Sequence, residues 1–131
     1  MQYAHNMETL EKFIALRNFI NATERRSLVY GASFSEFLIF KAIAAQGKAG
    51  IRRIDLADEV GLSVSGVTRA LMPLEKSGYV EKLDEALDAR VRRVGLTRAG
   101  KELFKDIEKN VQQNMLLIEV DLEALLKSVR R

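Results

Sequence analysis

The chain has no cysteine, a single histidine (His5) and a single proline (Pro73) among its 131 residues, and each scarcity removes a class of chemistry. Without a thiol there is no disulfide framework, no thiolate nucleophile, no thiol-based redox sensing and no Cys-ligated zinc. One imidazole near the N-terminus is the only base that a serine triad would have, and a metal site would rest mainly on carboxylates, none of which sit in a loop of calcium-type spacing. Acidic residues are numerous, yet no pair is singled out for acid and base work. The residues therefore point away from an enzyme, and no cofactor is expected. No apolar run approaches the ~18 residues of a membrane span. The opening MQYAHNMETLEKF lacks the basic segment and apolar stretch of a secretory signal. A cytoplasmic protein with no membrane partner is the expectation.

What is present is an ordinary globular composition, 47% hydrophobic and 30% charged, in a length that supports one core. One domain over residues 1–131 is expected. The net charge is only +3, and residues 49–100 nearly balance, with nine Lys and Arg against eight Asp and Glu. The distribution carries more than the sum does. Arg52 and Arg53 adjoin, Arg90, Arg92 and Arg93 cluster, and Arg69 stands alone, whereas the acids gather at 55–59 and 81–88.

From about Asn6 to Arg26 the apolar residues Leu10, Phe13, Leu16 and Ile20 recur at helical steps, widened by Ile14 and Phe19. Gly31 breaks the pattern. Ser33 and Glu36 then form the two ends of a capping box for a helix reaching about Gln46, with Phe37, Phe40, Ile43 and Ala44 central and Gly47 and Gly50 ending it. Ile51 to Ile54 fits a brief strand that joins a later hairpin. A short helix over Asp55–Val60 follows, and Ser63 caps another in which Val67, Ala70, Leu71 and Leu74 share one arc. Its opposite side shows Ser65, Thr68, Arg69, Met72 and Lys76, and Pro73 bends its axis. Tyr79–Leu83 and Val91–Leu96 alternate as antiparallel strands, with Val80, Val94 and Leu96 inward. The seven-residue loop Asp84–Arg90 between them has no tight-turn signal and reads as a projecting tip. Thr97 caps a last segment whose stripe runs through Phe104, Ile107, Val111, Met115, Ile118, Leu122, Leu125 and Val129. It reads as one bent helix, or as two with Asp121 capping the second.

Two pieces of this pattern belong together. In Ala57-Asp58-Glu59-Val60-Gly61 a small residue lets two helices approach and the glycine supplies a left-handed turn, which is a helix-turn-helix, and a basic hairpin follows it. That order of parts is the one used by winged-helix DNA readers. The expected fold is mainly α with a small β-hairpin wing, a winged helix-turn-helix over 33–97 flanked by helical dimerisation regions at 1–30 and 98–131. The candidate duplex-binding residues are Arg52, Arg53, Ser63, Val64, Ser65, Thr68 and Arg69 around the reading helix, and Asp88, Arg90, Arg92 and Arg93 on the wing, where Asp88 can fix the pose of Arg90. The terminal stripes leave Leu10, Phe13, Ile20, Phe104, Val111, Ile118, Leu122 and Leu125 for contact with a second copy, and a two-fold homodimer supplies the paired heads that a palindromic double-stranded site needs. The competing reading is a winged-helix module for protein contacts, kept open by the balanced charge.

The run LADEVGLSVSGVTRALMPLEKSGYVEKLDEALDARVRRVGLTRAGKELF resembles the multiple antibiotic resistance regulator (MarR) family. The likeness lies in the helix-turn-helix, the Leu-Glu-x-x-Gly at Leu74–Gly78, the Asp-x-Arg at Asp88 and Arg90, and the Leu-Thr-x-x-Gly at Leu96–Gly100. With the flanking helices it covers nearly the whole chain. The resemblance implies a triangular homodimer that binds a pseudo-palindromic operator, with recognition helices in successive major grooves, wing arginines in the minor groove, repression of a nearby promoter, and release by a small aromatic or anionic effector seated between the two regions. It marks Ser63, Ser65, Thr68 and Arg69 for the groove and Asp88 and Arg90 for the wing. Val64 and Ala89 depart from it, standing where relatives often carry basic residues, and the last helix stops early.

Overall fold

A computed structural model describes residues 1–25, 33–84 and 92–130. Helix α1 spans Gln2–Arg25 and α2 spans Phe34–Ala45, followed by a 3₁₀ turn at Gly47–Ala49 and a short strand β1 at Ile51–Arg52. Then come α3 (Arg53–Val60), α4 (Val64–Lys76), β2 (Val80–Asp84), β3 (Arg92–Leu96) and α5 (Arg98–Val129). The expected mainly α architecture with a small sheet is what the chain adopts.

Helix α2 is the centre because it is apolar on more than one side. Its capping box forms as expected: the Glu36 amide donates to Ser33 Oγ at 3.1 Å, and the Ser33 amide donates back to Glu36 Oε1 at 3.4 Å. Phe37, Ile39, Phe40, Ala42 and Ile43 are all buried. Ala44, expected in the centre, is only half-buried, whereas Ile39 and Ala42 are buried in a helix that packs against α3, β3 and α5. Leu56, Val67, Leu71, Val94 and Ile107 complete the enclosed core around it.

The three strands form one antiparallel sheet in the order β1-β3-β2, with Ile51 opposite Val94 and Val80 opposite Leu96. All four of these side chains are buried, so the alternation seen in the sequence sets the register. Strand β1 confirms the reading of Ile51 as strand, but α3 begins at Arg53, two residues before the expected start. The wing loop, including Asp88 and Arg90, lies outside the described residues.

The C-terminal stripe is one helix of 32 residues rather than two, and Asp121 lies inside it instead of capping a second. Thr97 caps its start, the hydroxyl accepting from the Gly100 amide at 3.0 Å. Its first half belongs to the core. Phe104 stacks on Phe37 with ring centroids 6.1 Å apart, and Val111 is 8% exposed. Of the residues expected in a contact between chains, Val111 is buried within this one and Phe104 is half-buried, because this face of α5 lies on α2. Ile118 and Leu125 are partly covered, whereas Leu10, Phe13, Ile20 and Leu122 stay exposed.

Candidate nucleic-acid interface

The turn between α3 and α4 is built as its residues require. Gly61 sits at φ +73°, in the left-handed region, and its amide and that of Leu62 both donate to the Ala57 carbonyl, at 3.0 and 3.1 Å. An alanine side chain at 61 would meet nothing within 4 Å, so the dihedral alone selects glycine there. Ala57 is buried against α4, and Ser63 caps α4 by accepting from the Gly66 amide at 3.0 Å. Val67, Leu71 and Leu74 then seal one side of α4 into the core, and the helix continues through Pro73.

The other side of α4 faces outward. Val64 is 48% exposed, Ser65 and Arg69 are exposed, and Thr68 is half-buried. Among the described residues Arg69 makes no ion pair. Small or hydroxyl-bearing residues occupy the first turn, so another molecule can approach the backbone closely, and a cation follows one turn later.

The remaining arginines behave unlike one another. Arg52 holds Asp55 with two bonds, Nε to Oδ2 at 2.8 Å and Nη2 to Oδ1 at 3.3 Å, with its side chain 49% exposed. That hydrogen bond, assisted by the charges of Arg52 and Arg93 and opposed by desolvation, holds the Asp55 carboxyl below its ordinary value. Arg93 lies opposite Arg52 in the sheet register and is half-buried, while its neighbour Arg92 is exposed. Arg53 departs from its expected place among the duplex-binding cations. Its Nη2 donates to Glu75 Oε1 at 3.0 Å and its Nη1 to Thr68 Oγ1 at 3.3 Å, with side chains only 23% and 25% exposed for Arg53 and Glu75. A guanidinium committed in this way ties α3 to α4. Sequence spacing gave no sign of it, because 22 residues separate the partners.

Two glycine motifs meet behind the reading helix. The Thr97 hydroxyl donates to the Gly78 carbonyl, the Thr97 amide donates to the Tyr79 carbonyl at 3.1 Å, and Gly100 lies directly against that same carbonyl. The exit of α4 and the entry of α5 are thereby pinned together at the base of the wing. Any Cβ at 100 would collide with Tyr79 backbone, which explains the last glycine of Leu96–Gly100.

A separate cavity of about 500 Å³ opens between α1, α2 and α5, walled by Phe19, Phe34, Phe37, Val111 and Met115 with Lys41 among its polar residues. No group of three acidic or histidine side chains that would hold a metal ion occurs among the described residues. Nor is any helix among them long and apolar enough to cross a membrane.

A family model described as winged helix-turn-helix DNA-binding matches residues 37–81, from α2 into β2. The HTH-type transcriptional regulator SarZ of Staphylococcus epidermidis is 26% identical over 104 residues, 77% of this chain and 69% of that protein. Among solved structures, the multiple antibiotic resistance repressor MarR superposes with a TM-score of 0.62 at 26% identity, covering 87% of this chain and 91% of that one. The PcaV transcriptional regulator of Streptomyces coelicolor, in complex with its natural ligand, superposes with a TM-score of 0.69 at 18% identity over 88% and 86% of the two chains. With the helix-turn-helix, the wing strands and the pinned glycine motifs, these similarities show a winged helix-turn-helix DNA-binding chain that is similar to transcription regulators of the MarR type.

Proposed function

We propose that the chain works in the cytoplasm as a homodimeric repressor on a pseudo-palindromic operator, each copy laying the first turns of α4 in a major groove and its wing along the neighbouring minor groove. The outer face of α4 carries this reading. A helix already sealed into the core by Val67, Leu71 and Leu74 needs no ordering on binding. Its exposed Arg69 offers paired donors to guanine O6 and N7 or to a phosphate, and Val64 offers methyl groups to a thymine. The Ser63 hydroxyl caps α4 and keeps its own proton for a phosphate oxygen at the positive end of the helix dipole. On the wing, the family motif assigns Arg90, held by Asp88, to the minor groove, with Arg92 and Arg93 extending the basic edge.

Dimerisation is supported by apolar surface that one chain leaves uncovered. Tyr3, Met7, Leu10 and Ile14 are exposed along α1 at steps of four, three and four, the spacing of a coiled-coil seam. On α5, Leu116, Leu117 and Val120 are 70%, 71% and 63% exposed. Each such side chain is worth ~1.5–3 kcal/mol when fully buried, and Phe13, Ile20 and Leu122 are exposed as well. The cavity between α1, α2 and α5 supports an effector with an aromatic body, since three phenylalanines line it, and its charged residues are mixed, Lys41 beside Glu24 and Glu108. Its walls connect the proposed dimer helices to the winged-helix core, so an occupant there alters the spacing of the two reading heads. That PcaV was solved with a natural ligand and MarR is named a repressor agrees with both assignments.

Selection of bound duplexes from a random pool, followed by titration at several salt concentrations, tests this function. Two related half-sites about one helical turn apart (~10 bp) and a steep fall in affinity with salt are expected. A chain that binds no duplex even at low salt would overturn the reading and leave the protein-contact module standing.

A further inference from the structure

The clamp formed by Arg53, Thr68 and Glu75 has a chemical consequence at the groove. Thr68 and Glu75 stand seven residues apart on α4, about two helical turns, so both lie on the side that α3 approaches. One guanidinium from α3 spans them, with its Nε enclosed and lacking a hydrogen-bond partner. Packing rather than solvent fixes its position.

A threonine hydroxyl has one proton and two lone pairs, whereas arginine only donates. Arg53 therefore occupies a lone pair of Thr68 Oγ1 and leaves the proton to be given elsewhere. Helical threonines commonly give that proton to a carbonyl four residues back, as Thr9 does to His5 at 3.1 Å. Thr68 makes no such bond among the described residues. Resting on the reading of α4 as the groove helix, we infer that Arg53 is a positioning residue for sequence readout, fixing the Thr68 hydroxyl as a donor toward an acceptor on the duplex while Glu75 anchors the guanidinium. The acceptors that fit are guanine N7 or O6, adenine N7, thymine O4 and phosphate oxygens. The exocyclic amine of cytosine, itself a donor, does not.

The test uses the full chain and a duplex selected from a random pool, comparing the wild type, Arg53→Met, Thr68→Val and the double variant, with melting temperatures measured alongside. Arg53→Met is expected to weaken binding about tenfold while leaving the salt slope unchanged. In the Thr68→Val background the same change costs less than twofold, because the hydroxyl it orients is already gone. Arg53→Lys, which can still reach Glu75, recovers part of the loss. A fall in salt slope of about 0.9 in Arg53→Met would mean a direct phosphate contact, and an equal loss in both backgrounds would mean a role in stability alone; either overturns the inference. If Arg53→Met does not fold by circular dichroism, Glu75→Gln replaces it in the same cycle with the same two criteria. A wild type that binds no duplex removes the α4 reading and this inference together, whereas a binding wild type with a failed cycle removes the inference only.

Discussion

Replacing Gly100 with alanine sets the first turn of α5 against the backbone of Tyr79. The added Cβ would overlap the Tyr79 carbonyl oxygen and stand 2.9 Å from its carbon and 3.4 Å from its Cα. Neither partner is a flexible side chain that can swing away, so α5 or the Gly78–Tyr79 segment must shift. Overpacking of this kind costs ~1–3 kcal/mol, with backbone against backbone at the upper end. The shift also breaks the bond from the Thr97 hydroxyl to the Gly78 carbonyl, worth ~0.5–1.5 kcal/mol. A total near 3 kcal/mol is expected. Gly61→Ala is the control, since it meets nothing within 4 Å but sits at φ +73°, a dihedral that costs about 1–2 kcal/mol for alanine. Urea unfolding followed by circular dichroism at one fixed protein concentration compares the two, the fixed concentration guarding against shifts in assembly. Because the pinned carbonyls lie at the base of the wing, Gly100→Ala should also weaken duplex binding without changing its salt slope. A Gly100→Ala protein no less stable than Gly61→Ala would refute the packing argument.

Arg69→Ala should cost ~1–3 kcal/mol of duplex binding, unequally across sequences; an equal loss on selected and random duplexes would assign Arg69 to a phosphate. Asp55 has a lowered pKa, so its bond to Arg52 stabilises the fold fully above the ordinary value of 3.8 and is lost as pH falls through the lowered one. Asp55→Asn should accordingly be less stable than the wild type at neutral pH and equal to it in acid, as read by melting temperature; a difference that persists in acid would contradict this. Leu117→Glu combined with Val120→Glu puts two carboxylates on the exposed side of α5, and sedimentation should report monomers; a persisting dimer would move the contact elsewhere.

The parts legible in the sequence were those governed by local rules. Ser33, Ser63 and Thr97 each cap the helix that their position announces, Gly61 takes the left-handed turn, and the alternation of Val80, Val94 and Leu96 sets the strand faces. What escaped depends on packing between distant segments. Arg53 adjoins Arg52 in the sequence as a candidate duplex-binding cation, and the approach of α3 to α4 engages it with Glu75. Val111 fitted a stripe for a partner chain, but that stripe serves two purposes along one helix, covering α2 in its first half before emerging in its second. The exposed run of Leu116, Leu117 and Val120 lies off that stripe, and periodicity measured from the core face treats that side as solvent. Gly100 was visible as a motif letter, and only the crossing of α5 over Tyr79 supplies its reason.

The most direct test of the reading helix is methylation interference on a selected duplex, in which guanine N7 in the major groove is blocked one base at a time. Interference is expected at guanines in two major-groove segments centred about one helical turn apart (~10 bp), with the Arg69→Ala protein losing sensitivity at one guanine of each half-site. Binding that is indifferent to N7 methylation throughout the duplex would contradict the placement of α4 in the groove.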